Sequence, residues 1–133
     1  MISPRGALST ATGDRGATLP LLVAMALLTM PARSGEVEVL DTDVDCSAGG
    51  CRFAVTLRHD DTGWDHYADH WRVLTPGGDE IARRVLYHPH VDEQPFTRSL
   101  DGVVIPSGMR RVIIEGHDTV HGYGGGTLAI ELP

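Results

Sequence analysis

The chain contains no lysine. Its 11 basic residues are all arginine, set against 18 acidic ones, and the formal net charge is −7. With a pI near 5.3, that balance argues against nucleic acid or an anionic membrane surface as partner. Aromatic residues are only 5% of the chain, so a core must rest mainly on Val, Leu and Ile. No internal repeat and no convincing helix is present, and the composition excludes a coiled coil, a multi-span membrane protein and a disordered acidic tail. Two cysteines are too few for a thiolate metal site. At 133 residues the chain holds one domain at most. Against these absences stand 16 Gly, 8 Pro and 7 His. The first two suit many short strands joined by turns, and the histidines mark where chemistry is to be sought.

Residues 1–34 read as a cleaved Sec-type signal peptide, leaving 35–133 as the domain. Arg5 and Arg15 precede the apolar run Leu19–Met30, and Ala32-Arg33-Ser34 supplies small residues at −3 and −1 before Gly35. Twelve helical residues span about 18 Å, short of a ~30 Å hydrocarbon core, so a membrane span is not expected. No twin-Arg pair precedes the run, and no Cys follows it at once, so a lipoprotein is not expected. The expected location is periplasmic or secreted. Cys46 and Cys51 flank Ser47-Ala48-Gly49-Gly50 and are expected to close a disulfide across a hairpin end in that oxidising setting.

The mature chain alternates apolar and polar residues with period two in about seven runs. They centre on Val37/Val39, Phe53/Val55/Leu57, Trp71/Val73, Ile81–Tyr87, Phe96–Leu100, Arg111–Glu115 and Leu128/Ile130/Leu132. This spacing implies an all-β fold, an antiparallel immunoglobulin-like or fibronectin-III-like sandwich with Trp71 in its core. If every connection reverses the chain, alternate connections share an end. One end then receives the segments 59–70, 88–95 and 117–126. All 7 His lie in them, together with Asp60, Asp61, Asp65, Asp69, Asp92, Glu93 and Asp118 and no arginine.

Neutral imidazole with carboxylate is the ligand set of divalent transition metals. His88-Pro89-His90 is the sharpest local element: Pro89 favours extended backbone, in which residues i and i+2 point to one side. The expected ligands are His88, His90, His117 and His121, then His59 and His66, with Asp118 as ligand or ligand support. Zn, Cu(II), Ni and Fe suit such a set, whereas Ca does not favour imidazole. Taken singly, each histidine can equally be a solvated loop residue. His70 can be an outward-facing strand residue, and His59 can cap the row Phe53-Val55-Leu57. Trp64, Tyr67 and Tyr123 occupy the same loops and offer a stacking surface for a glycan or protein partner. Gly122–Gly126 permits a close backbone approach or a tight hairpin. No nucleophile and no spacing-fixed acid–base pair is evident, so a metal-binding or carrier role fits better than catalysis. A non-metal binding module and a mononuclear metal oxidoreductase are the alternatives.

The segments TGWDHYADHWRVLTPGG (Thr62–Gly78), RVLYHPHVDEQPFTRSL (Arg84–Leu100) and HDTVHGYG (His117–Gly124) resemble a family of small exported bacterial proteins that brings no assigned activity. The placement of histidines around the third, fourth and sixth runs also resembles the superoxide reductase domain, an immunoglobulin-like iron enzyme. There a Cys and a His from the late loop complete the iron site. Here Asp118 and His121 occupy that region, so the resemblance reaches the fold and not the thiolate chemistry.

Overall fold

The computed structural model describes residues 35–133, and before them only Gly6, Gly13 and Gly16. The expected leader, 1–34, lies outside the described residues. Seven strands follow in order: β1 (Glu38–Ser47), β2 (Gly50–Arg58), β3 (Ala68–Leu74), β4 (Glu80–Val85), β5 (Phe96–Val103), β6 (Arg111–Asp118) and β7 (Leu128–Glu131). All pairings are antiparallel. A sheet β1-β2-β5 packs on a sheet β4-β3-β6-β7. The expected antiparallel sandwich is what forms, with β4 beside β3.

Alternation sets the core. Phe53, Val55 and Leu57 on β2 face Trp71 and Val73 on β3 and Val112 and Ile114 on β6, all fully buried. Cys46 and Cys51 are direct cross-strand partners and form the disulfide at the β1–β2 hairpin. Gly50 has φ +110° and lies against the backbone of Gly102 and Val103, where a Cβ would come within 3.0 Å, so the turn requires glycine.

Two departures from simple alternation place the functional residues. β6 runs on past Glu115 to Asp118. Its inward row therefore continues Val112, Ile114, Gly116, Asp118, while Glu115 and His117 face outward. In β3 the register with β6 shifts between Ala68 and His70, so Asp69 is an extra, bulged residue. A bulge re-aims side chains: Ala68 packs into the core while Asp69 turns to the outer face beside His70.

The glycine-rich β6–β7 loop clasps the segment that leads into β1. Gly124 lies against the Glu36 carboxylate and Gly125 against the Val37 backbone, where a Cβ would overlap the carbonyl. A Gly125→Ala substitution must push this loop off residues 35–37. The expected loss is about 1–3 kcal/mol, the usual cost of overpacking, read from the urea midpoint.

Candidate metal centre

The β2–β3, β4–β5 and β6–β7 connections meet at one end of the sandwich, as their side-chain contacts show. Asp61 is their buried anchor. Its Oδ1 accepts from the Nδ1–H of His59 and from the amide of Ala68 (3.0 Å), and its Oδ2 accepts from the amide of His90 (2.7 Å). Gln94 adds a second tie, accepting from the His59 amide and donating to the His90 carbonyl, both at 3.0 Å.

Among the described residues, two groups of His and Asp have donor atoms close enough to hold one ion: His59, His66 and Asp118, and Asp69, His70 and His117. They lie on opposite faces of β6, because His117 and Asp118 are consecutive strand residues.

The inner group surrounds Asp118, which is fully buried. His66 Nε2 and His121 Nδ1 each lie 3.3 Å from Asp118 Oδ1, and His59 Nε2 lies 3.9 Å from Oδ2. Oδ1 also accepts from the amides of Val120 (2.9 Å) and His121 (2.7 Å), whereas Oδ2 has no hydrogen-bond partner. Burial alone would raise the Asp118 carboxyl. The two amides and the His59 and His121 imidazoles outweigh it and hold the group below its ordinary range. The main chain enters too: the Gly35 carbonyl sits 2.9 Å from His59 Nε2 and 3.1 Å from His66 Nε2. His59 is fully buried, while the side chains of His66 and His121 are 22% and 37% exposed. The group is thus closed on one side and reachable from solvent on the other.

His59 has one acceptor too many around its ring. His59 Nδ1 faces the Asp61 carboxylate and Nε2 faces the Gly35 carbonyl, and both of these oxygens are acceptors. A neutral imidazole has one N–H, so one nitrogen must point a lone pair at an oxygen lone pair. A second proton or a cation relieves that clash.

The outer group shows no such conflict. His70 and His117 are direct cross-strand partners with rings stacked at 4.2 Å. Asp69 Oδ1 accepts from His117 Nδ1 at 2.5 Å and lies 3.3 Å from His70 Nδ1. Arg83 donates to the Tyr123 hydroxyl at 3.3 Å, and that hydroxyl donates to His70 Nε2 at 2.6 Å. The Arg72 guanidinium lies over the Tyr123 ring at 3.7 Å. Burial, then the neighbouring His117 imidazole, push His70 down to about 4 against the opposing pull of Asp69. A neutral His70 gives this network a self-consistent set of donors and acceptors.

The remaining expected residues go elsewhere. His88 and His90 are neighbours, with rings 4.5 Å apart. His90, however, is buried and stacked on Phe96 at 3.9 Å, and its Nε2 accepts from Arg98 at 2.9 Å. Burial and the Arg98 charge lower its pKa. Of the aromatic trio, Trp64 is exposed and meets Tyr67 edge-on at 5.6 Å, while Tyr123 is engaged in the outer network. Sequence reasoning set His59, His66, His121 and Asp118 in the candidate pool, and the fold brings them together. It left out Asp69 as a partner of His70 and His117, because the bulge has no local signature. It also left out the Gly35 carbonyl, because a main-chain donor carries no residue type.

A protein of Halomicrobium mukohataei named "Putative lipoprotein" is 46% identical over 98 residues, covering 72% of this chain and 47% of its own length. The chain therefore spans about half of that relative. No protein-family model and no solved structure matches the chain. Both cysteines of this chain are joined in the Cys46–Cys51 disulfide.

Proposed function

We propose that the chain is an exported β-sandwich protein that binds one divalent transition metal ion in the inner group. His59, His66, His121 and Asp118 are the ligating side chains and the Gly35 carbonyl is a further oxygen donor. The observation that carries this reading is the inward-facing set of lone pairs: a buried carboxylate with an unpartnered oxygen, and an imidazole caught between two acceptors. Leaving a buried acceptor unsatisfied costs about 1–3 kcal/mol, and a cation satisfies all of them at once. Asp61, fixed by three donors, orients His59 as a carboxylate behind a metal-bound imidazole does. The mixed nitrogen and oxygen set suits Zn, Cu(II), Ni or Fe. Export is supported by the leader-like residues 1–34, by the disulfide and by the name of the Halomicrobium relative.

The test is elemental mass spectrometry of the untagged protein purified from a periplasm. About one equivalent of one transition metal is expected, lost in a His66→Ala/His121→Ala variant and kept in His88→Ala/His90→Ala. Loss in the second variant alone would move the site to the β4–β5 loop. No metal in the wild type, and none taken up from micromolar Cu(II), Zn or Ni, would overturn the reading.

A further inference from the structure

Gly35 is placed as no ordinary loop residue is. Its carbonyl oxygen sits between the Nε2 atoms of His59 and His66. Its Cα is so close to the rings that a Cβ would stand 2.8 Å from His121 Cε1 and 3.4 Å from His66 Cε1. Its φ is +100°, which only glycine adopts freely. It is also the residue that follows Ala32-Arg33-Ser34, the small-x-small pattern at which leaders are cut. The placement beside the imidazoles and the cleavage pattern are independent observations, and they fall on one residue.

We infer that removal of the leader completes the metal site: the processed chain begins at Gly35, and its free α-amine becomes a ligand beside the Gly35 carbonyl. This rests on the metal reading of the inner group. Hydrolysis of the Ser34–Gly35 bond by a processing peptidase adds one water. It leaves a carboxylate on Ser34 of the leader and an amine on Gly35. In the uncut chain that nitrogen is an amide, whose lone pair is delocalised into its carbonyl, and it does not ligate at neutral pH. After cleavage, rotation about the Cα–C bond swings the amine while the carbonyl oxygen stays between His59 and His66. The amine nitrogen and the carbonyl oxygen of one residue are then placed to chelate a single ion in a five-membered ring.

The clasp of Gly124 and Gly125 on Glu36 and Val37 gives the arrangement its rigidity. It holds the new terminus on the site, where an unrestrained terminus would fray. The consequence is a site that is incomplete in the precursor and is finished only after export. The glycine has a second role here, since any side chain at position 35 would fill the space in which ion and amine must meet.

The absence of lysine makes the test selective. In a chain starting at Gly35, the α-amine is the single primary amine of the sequence, so mild acetylation at neutral pH marks it alone. The full chain is exported to a periplasm, purified, and its first residue read by intact mass. Cu(II) is the probe, followed by competition titration and by electron paramagnetic resonance on protein labelled with 15N-glycine. The expected results are a start at Gly35, a nitrogen coupling that changes with the glycine label, and a loss on acetylation above the roughly 10-fold typical of removing a ligand's outer partner. A start elsewhere than Gly35 would overturn the inference, as would equal affinity and equal spectra for free and acetylated protein. If neither form binds Cu(II), Zn or Ni, the metal reading itself fails. Acetylated protein that binds as tightly as free protein removes only the amine.

Discussion

An Asp118→Asn variant is expected to lose the metal while keeping the fold. Asp118 Oδ1 accepts the amides of Val120 and His121, and an asparagine oxygen of the same shape can do the same. What disappears is the charge, and the anionic Oδ2 that no donor satisfies. Losing an outer-shell partner typically costs 10–100-fold in metal affinity, so loss of the anionic ligand itself is expected to cost more than about 100-fold. Thermal stability offers a second reading. A ligand at 100 times its Kd adds about 2.7 kcal/mol. In a domain near this size each kcal/mol moves Tm by about 4–8 °C. The wild type should gain about 10–20 °C from the metal and Asp118→Asn nothing, while the metal-free proteins melt close together. The proposal fails if the variant binds Cu(II) or Zn as the wild type does. Collapse of the metal-free variant would instead make Asp118 a structural residue, and the metal reading would then rest on the His66/His121 pair.

How the sandwich is encoded is visible along β2. Phe53, Val55 and Leu57 alternate with polar residues, and all three are fully buried. The same two-residue step carries His59 to the next inward position, where it caps that row and its Nε2 faces Asp118 at 3.9 Å. Strand parity alone brings the three histidine-bearing connections to one end. It does not say which histidines share a centre. That depends on where β6 stops, and Gly116 hides the answer: at the inward position where an apolar residue would extend the pattern there is no side chain. The reason is steric, since Val37 occupies the space and a Cβ at Gly116 would overlap its side chain. With β6 ended at Glu115, His117 and Asp118 read as one loop pair. With β6 extended to Asp118, they face opposite sides of the sheet and belong to different groups. The His88–His90 pair shows the converse. Local spacing does bring the two rings together, but packing on Phe96 and the Arg98 guanidinium, both on the next strand β5, claim His90, and no spacing rule within His88-Pro89-His90 reveals either contact.

The largest pH effect is expected from the outer network. His70 is pushed from 6.5 down to about 4, first by burial and then by His117, with Asp69 and Glu80 pulling the other way and Arg83 adding to the depression. Tyr123 holds its Nε2. The unfolded chain therefore takes up this proton first as the pH falls. Stability from His70 is fully present above the unfolded value of 6.5 and is lost between there and about pH 4, with a ceiling of about 3 kcal/mol from 1.36 kcal/mol per unit. His90, also lowered by burial and by Arg98, acts in the same direction. Asp118 does not contribute in this window, because its lowered carboxyl gives up its stabilisation only as the pH falls below the ordinary carboxylate value. Urea unfolding of metal-free protein in chelator, from pH 7.5 to 4, should show this slope, and His70→Gln should flatten it by about one proton. An unchanged slope in the variant would mean that His70 titrates normally and that the Asp69–His70–Tyr123 chain is looser than its distances. On the proposed reading, metal loss is expected to follow a separate course, because protons would compete with an ion for the inner imidazoles. Asp118→Asn, which removes the ion, and His70→Gln, which removes the outer titration, should therefore act on different terms: the first on the difference between metal-loaded and metal-free protein, the second on the metal-free slope.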